Sequence, residues 1–227
     1  MPADVGSAAG TPAQVRWYFD FISPFAYLAF EALPQALAAV VPAPQIDYRP
    51  VLFAGLLDHW GHKGPAEIGP KRRFTYEHVA WLAARHGIPM QVPRHHPFNP
   101  LPLLRAAIAA GGSRAAIERL FRFVWQEGRL PDEPGFAAVL GDLGISAAAL
   151  EAPAVKQALR DNGALAIAEG VFGVPTAVAT TPRGSRLVWG FDALPMLADW
   201  LNGAPLFDSD ALRRAATLPT GVKRPGA

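Results

Sequence analysis

Ser23 and Pro24 stand where a strand pattern turns into a helix pattern, and at that junction the chain can do chemistry. Serine is a favoured N-cap, and proline suits the first helical turn because its missing N–H would lack a partner there anyway. A hydroxyl in that place lies beside unpaired backbone N–H groups at the positive end of the helix dipole, which stabilises an anion. Ser23 therefore reads either as a cap alone or as the donor that holds a reacting anion, and the junction by itself leaves both readings open. His59 and His62, three apart at helical spacing, and the pair His95-His96 invite a metal reading. No Asp/Glu–His motif with ligand spacing accompanies them, so loop and surface positions explain them better and no metal site is expected. The chain has no cysteine. That excludes disulfides, thiolate metal sites and redox chemistry on the protein's own sulfur.

The elements around Ser23 follow from periodicity. Val15, Trp17, Phe19 and Phe21 alternate with Arg16, Tyr18 and Asp20, the period of a strand. From Phe25 to Val40 apolar residues recur at three- and four-residue spacing, one helical face, with Pro34 predicting a kink near the middle. A proline-rich breaker over 41–44 precedes a second strand over 45–49. Strand, helix and strand in that order make a right-handed crossover with parallel strands. From 52 to about 169 the strand signal disappears. Helices are expected over 70–86, 102–110, 113–127, around 136–143 and over 154–169, most of them stopped by a glycine. Strands return at 176–180 and 187–189 around a turn-rich loop over 181–185, and Asp192 is expected to cap a closing helix carrying Leu194, Leu197 and Leu201. A short helix over 208–216 ends the pattern.

Composition sets the class. With 227 residues, 51% hydrophobic and 18% charged, the chain is long enough for a sizeable core and needs no disordered class. A net charge of +2 and a single dense basic run, Lys71-Arg72-Arg73 at the start of an amphipathic helix, argue against a nucleic-acid surface. No apolar run approaches a membrane span, and the small, polar opening lacks the features of a signal peptide, so a cytoplasmic location is the default expectation.

A βαβ unit, a helical block and a ββα unit, with the first helix starting at the reactive position, resemble the thioredoxin fold. In thioredoxins that helix opens with Cys-x-x-Cys; here Ser23-Pro24-Phe25-Ala26 takes the place. The run Gly170-Val171-Phe172-Gly173-Val174-Pro175-Thr176 resembles the cis-proline loop of that fold. Further matching motifs are Phe19-Asp20-Phe21-Ile22-Ser23-Pro24, Pro50-Val51-Leu52, His96-Pro97-Phe98-Asn99-Pro100-Leu101 and Trp189-Gly190-Phe191-Asp192. Their order resembles the branch with serine in place of cysteine, which holds 2-hydroxychromene-2-carboxylate isomerases and kappa-class glutathione transferases. The resemblance implies an α/β thioredoxin fold of residues 15–55 and 170–203, with an all-helical domain over 56–169 inserted between the halves. The stretches 1–14 and 204–227 are expected as tails.

The resemblance also implies roles. Glutathione is the expected cofactor. The Val174 backbone, presented before Pro175, would pair with its main chain like an added strand. Gly190, Phe191 and Asp192 would take its γ-glutamyl end, and Ser23 would donate to its sulfur. In the isomerase branch the thiolate adds to a conjugated double bond, the bond rotates and the thiolate leaves. In the transferase branch it stays on an electrophile. A small aromatic substrate is expected against the insertion, with Phe25, Phe53, Trp60 and Phe98 as apolar walls and His59, His62, Lys63 and Asn99 as polar contacts. Three departures stand out: Asp58 where the isomerases carry lysine, His62 where they carry asparagine, and Ala193 where arginine is common. A kappa-type transferase and a non-catalytic ligand-binding protein of the same fold are the alternatives. Members of the branch commonly dimerise, which implies a homodimer.

Overall fold

The computed structural model describes residues 12–219 and residue 221. Four strands form one sheet in the order β2-β1-β3-β4: β1 (Gln14–Phe19), β2 (Gln45–Pro50), β3 (Thr176–Thr181) and β4 (Gly184–Trp189). β1 runs parallel to β2 and antiparallel to β3, with Trp17 opposite Tyr48 on one side and Ala177 on the other. β3 and β4 form a hairpin whose connection is only Pro182-Arg183; Thr181, Gly184 and Ser185, expected in the loop, are paired strand residues.

Helices cover both faces of the sheet, which is why β1 is buried throughout its centre. Tyr18 and Asp20, the intervening polar positions of the strand pattern, are both fully buried. On one face lie α1 (Pro24–Ala36) and α8 (Leu194–Leu201); on the other, α2 (Phe53–Trp60) and α7 (Pro153–Ala168) bury Leu56 and Ala166 against Tyr18 and Val178. Between α2 and α7 in the chain come α3 (Gly69–His86), α4 (Leu101–Ala109), α5 (Arg114–Trp125) and α6 (Gly135–Asp142). A final α9 (Asp210–Ala216) follows a short 3₁₀ turn over Pro205–Asp208. This is the α/β thioredoxin arrangement with its helical insertion. The expected tails lie partly outside the described residues, at 1–11, 220 and 222–227.

The insertion does not have a core of its own. Phe121 of α5 packs its ring 4.6 Å from Phe21, 5.2 Å from Phe30 and 5.5 Å from Phe19. Trp125 donates its indole N–H to the Phe21 carbonyl at 2.8 Å. Rings from β1, α1 and the insertion thus share one apolar cluster.

Two local expectations fail for identifiable reasons. Pro34 does not lie near the middle of α1, because the helix ends at Ala36 and Pro34 falls in its last turn. Lacking an N–H, Pro34 leaves the Phe30 carbonyl without its helical donor, and Arg114 supplies one at 3.1 Å while stacking 4.1 Å over the Phe30 ring. Asp192 does not cap α8. That helix starts at Leu194 with Ala193 at the N-cap and Pro195 in its first turn, so the Asp192 side chain is left outside.

Candidate functional site

Ser23 is the N-cap of α1, with φ −91° and ψ 115°. Its Oγ accepts from the Ala26 N–H at 3.2 Å and its hydroxyl donates to the Val174 carbonyl over a long 3.4 Å. The residue is 8% exposed, so the hydroxyl is nearly but not fully covered. The Val174–Pro175 peptide bond is cis. Cap and loop therefore meet at one point.

The turn that delivers Ser23 has its polar groups accounted for. Asp20 accepts from the Ile22 N–H at 3.0 Å and, through its other oxygen, from the Phe53 N–H at 2.8 Å, tying the end of β1 to the start of α2. Trp125 holds the Phe21 carbonyl, and His96 Nε2 holds the Ile22 carbonyl at 2.7 Å. A carbonyl only accepts, so Nε2 carries the proton. Burial lowers the His96 pKa and keeps the ring neutral, which leaves Nδ1 to accept from the Tyr76 hydroxyl at 2.8 Å. Burial also pushes the Asp20 carboxyl up to about 7, against the backbone N–H groups of Phe53, Ile22 and Phe21 that favour its ionised form. Neither Asp20 nor His96 was expected as a site residue. Their signal is their position inside the motifs around Ser23 and Pro97.

A groove of about 800 Å³ opens beside this junction. Val174, Pro175, Gly190, Phe191, Asp192 and Phe25, all expected from the sequence, line it together. Gly190 must be glycine: its φ is +104°, and an added Cβ would sit 2.7 Å from an Asp192 carboxylate oxygen. Gly173 is required by a close approach, since a Cβ there would meet the Trp189 indole nitrogen at 2.7 Å.

The expected substrate side lies elsewhere. His59 is in α2 with its ring against Trp60, and Gly61, in the left-handed conformation, ends that helix before His62, so the two histidines do not share a helical face. His59, His62 and Lys63 are exposed, and none lines the groove. Asn99 precedes the Pro100 N-cap of α4 and accepts from the Leu101 N–H at 3.1 Å. Of the expected walls, Phe98 is buried in the core, Phe53 packs beside Tyr18 and Val51, and Trp60 donates to the Val171 carbonyl. The wall facing Phe25 is instead His78, Leu82 and His86 of α3. Their spacing of four, one stripe along a helix, was the signal available in the sequence. Among the described residues no group of three His, Asp or Glu side chains is placed to hold a metal ion.

A four-stranded sheet with helices on both faces, a reactive helix opening at its parallel strand and a cis-proline loop against that helix define a thioredoxin-fold protein, here of the kind with serine at the helix tip. The DSBA-like thioredoxin domain family matches residues 14–202, and the chain belongs to it. Among curated proteins it is similar to a 2-hydroxychromene-2-carboxylate isomerase of Pseudomonas putida, 31% identical over 81% of this chain and 91% of the relative. It is also similar to glutathione S-transferase kappa 2 of Caenorhabditis elegans, 29% identical over 82% of this chain and 91% of the relative. The solved structure of a 2-hydroxychromene-2-carboxylate isomerase superposes with a TM-score of 0.68 at 26% identity, covering 91% of this chain and all of the other. These relatives are enzymes.

Proposed function

We propose that the chain is a glutathione-dependent enzyme that isomerises a conjugated aromatic acid by reversible thiolate addition. The observation that carries this reading is the meeting of the Ser23 hydroxyl, the α1 N-terminus and the Val174 carbonyl at the edge of the groove, in a chain without cysteine. With no protein thiol, disulfide exchange is excluded, and the sulfur such a site is built to hold must come from a ligand.

The donor set fits glutathione. Val174 lies in the loop before β3, outside the strand ladder, where its backbone can pair with a ligand's main chain. Asp192, exposed on the groove and not engaged as a helix cap, suits the γ-glutamyl amine. When bound, glutathione supplies a nucleophile that adds to and leaves a double bond. The protein's part is to hold that sulfur as the anion. A free thiol has a pKa of about 8.5, so only a few per cent is ionised at neutrality. The Ser23 hydroxyl is free to turn toward sulfur because its contact with the Val174 carbonyl is long and weak. The α1 dipole adds to the same effect.

Ultraviolet difference titration of the protein with glutathione tests this. Thiolate absorbance should appear at least about one unit below the free-thiol pKa. In Ser23→Ala, glutathione should still bind while the thiol pKa rises by about one unit, roughly 1.4 kcal/mol. An unchanged thiol pKa in that variant removes Ser23 from the mechanism. The similarity to a kappa transferase supports a second reading with the same site, in which the conjugate is the product. Glutathione consumed in step with substrate, rather than recovered intact, decides for it.

A further inference from the structure

The groove contains a recognition element that the substrate-side expectations did not reach. On the reading above, the ligand's sulfur lies at Ser23, and the groove wall next to Ser23 is Phe25. The ring facing Phe25 is His78, 5.7 Å away and edge-on. His78 is itself flanked by Phe74 at 5.4 Å and stacked on Trp81 at 6.1 Å. Those two aromatics are 63% and 56% exposed and stand outside the groove lining, with the Arg85 guanidinium 5.5 Å over the Trp81 ring. Among the described residues the groove lining includes neither lysine nor arginine. Of those residues, the lining groups able to carry positive charge are His78 and His86, and His86 packs against the Phe191 ring at 5.0 Å. The lysine expected of an isomerase is absent at Asp58, and Lys63 is off the groove.

We infer that His78, boxed by Phe25, Phe74 and Trp81, is the specificity-determining residue that receives the carboxylate of an aromatic acid carried on, or reacting with, glutathione sulfur. The imidazole donates to the carboxylate and, when protonated, balances its charge, while the Phe25 ring on the groove wall packs against the aromatic body. This assignment rests on the glutathione reading, so its test separates the two.

The full chain is titrated calorimetrically with glutathione, S-benzylglutathione and S-(4-carboxybenzyl)glutathione. The parent should bind the carboxybenzyl conjugate about tenfold more tightly than the benzyl conjugate, the worth of one charge-assisted hydrogen bond. His78→Gln should abolish that preference while its affinity for S-benzylglutathione stays within about twofold, and His78→Lys should restore it. A parent that binds both conjugates alike, or a His78→Gln variant that keeps the full preference, overturns the assignment of His78. A parent that binds none of the three ligands overturns the glutathione reading itself.

Discussion

Asp20 combines two demands that conflict. Both of its oxygens accept backbone N–H bonds, which favours the carboxylate, yet it is fully buried, which favours the neutral acid. Burial wins, and the pKa rises from an ordinary 3.8 to about 7. The folded state therefore holds a proton that the unfolded state has already released. The stability this adds is complete below about pH 4 and is lost as pH climbs through about 7, at up to about 1.4 kcal/mol per pH unit. Denaturant melts of the parent across that window should show the decline, and Asp20→Asn should flatten it. Asn offers only one accepting oxygen to two N–H donors, so the variant should also lose about 1–3 kcal/mol at pH 5. A slope that survives Asp20→Asn would assign the titration to another group.

At the scale of elements, α1 shows how a helix accommodates a proline in its last turn. Pro34 orphans the Phe30 carbonyl, and Arg114, from the first turn of α5, reaches across to satisfy it and also donates to the Tyr48 hydroxyl at 3.0 Å. Arg114→Met keeps the stem but leaves that carbonyl unpaired, and should cost about 1–3 kcal/mol by urea denaturation. Full stability in the variant would mean water replaces the guanidinium. The four strands, the parallel β1–β2 crossover, the β3–β4 hairpin and eight of the nine helices of the described residues were legible in the sequence because periodicity and glycine stops are local signals. α2 was not: eight residues directly after a strand give too little period to declare a helix. The same limit shaped the site. Ser23, Phe25, Val174, Pro175 and the 190–192 run sit in compact motifs at element ends; the structure brings all but Ser23 to one groove and sets the Ser23 hydroxyl against the Val174 carbonyl beside it. The insertion's contribution depends on which face of α3 meets α1; the stripe His78, Leu82, His86 is visible in the sequence, but that it faces α1 is a tertiary fact. The choice of His59, His62, Lys63 and Asn99 over His78 and His86 followed from that.

Across the whole molecule, the insertion and the sheet are one packing unit. Phe121 touches rings from β1 and α1, and Trp125 and His96 reach from the insertion into the turn before Ser23. The thioredoxin part should therefore not melt separately from the helices inserted in it. Calorimetry of the parent should give a single transition with matching calorimetric and van't Hoff enthalpies. Phe121→Ala should lower stability by about 3–5 kcal/mol while keeping one transition. Two resolved transitions would mean that the shared core does not couple the parts. Nor does a helix of the described residues have the length and apolarity to cross a membrane, so this unit presents no spanning segment of that kind.

The sheet order has a consequence for the order in which the chain is made. β1 is central, and its partner β3 follows it only after the whole insertion: Gln14 pairs with Thr180. Until β3 emerges, one long edge of β1 and the apolar rings beside it stay without their native cover. Such far-separated pairing is slow to form and leaves nascent chains prone to association. The sheet can therefore close only after the whole insertion has been made, so translation speed and chaperone supply bear on how much of the chain reaches its native form.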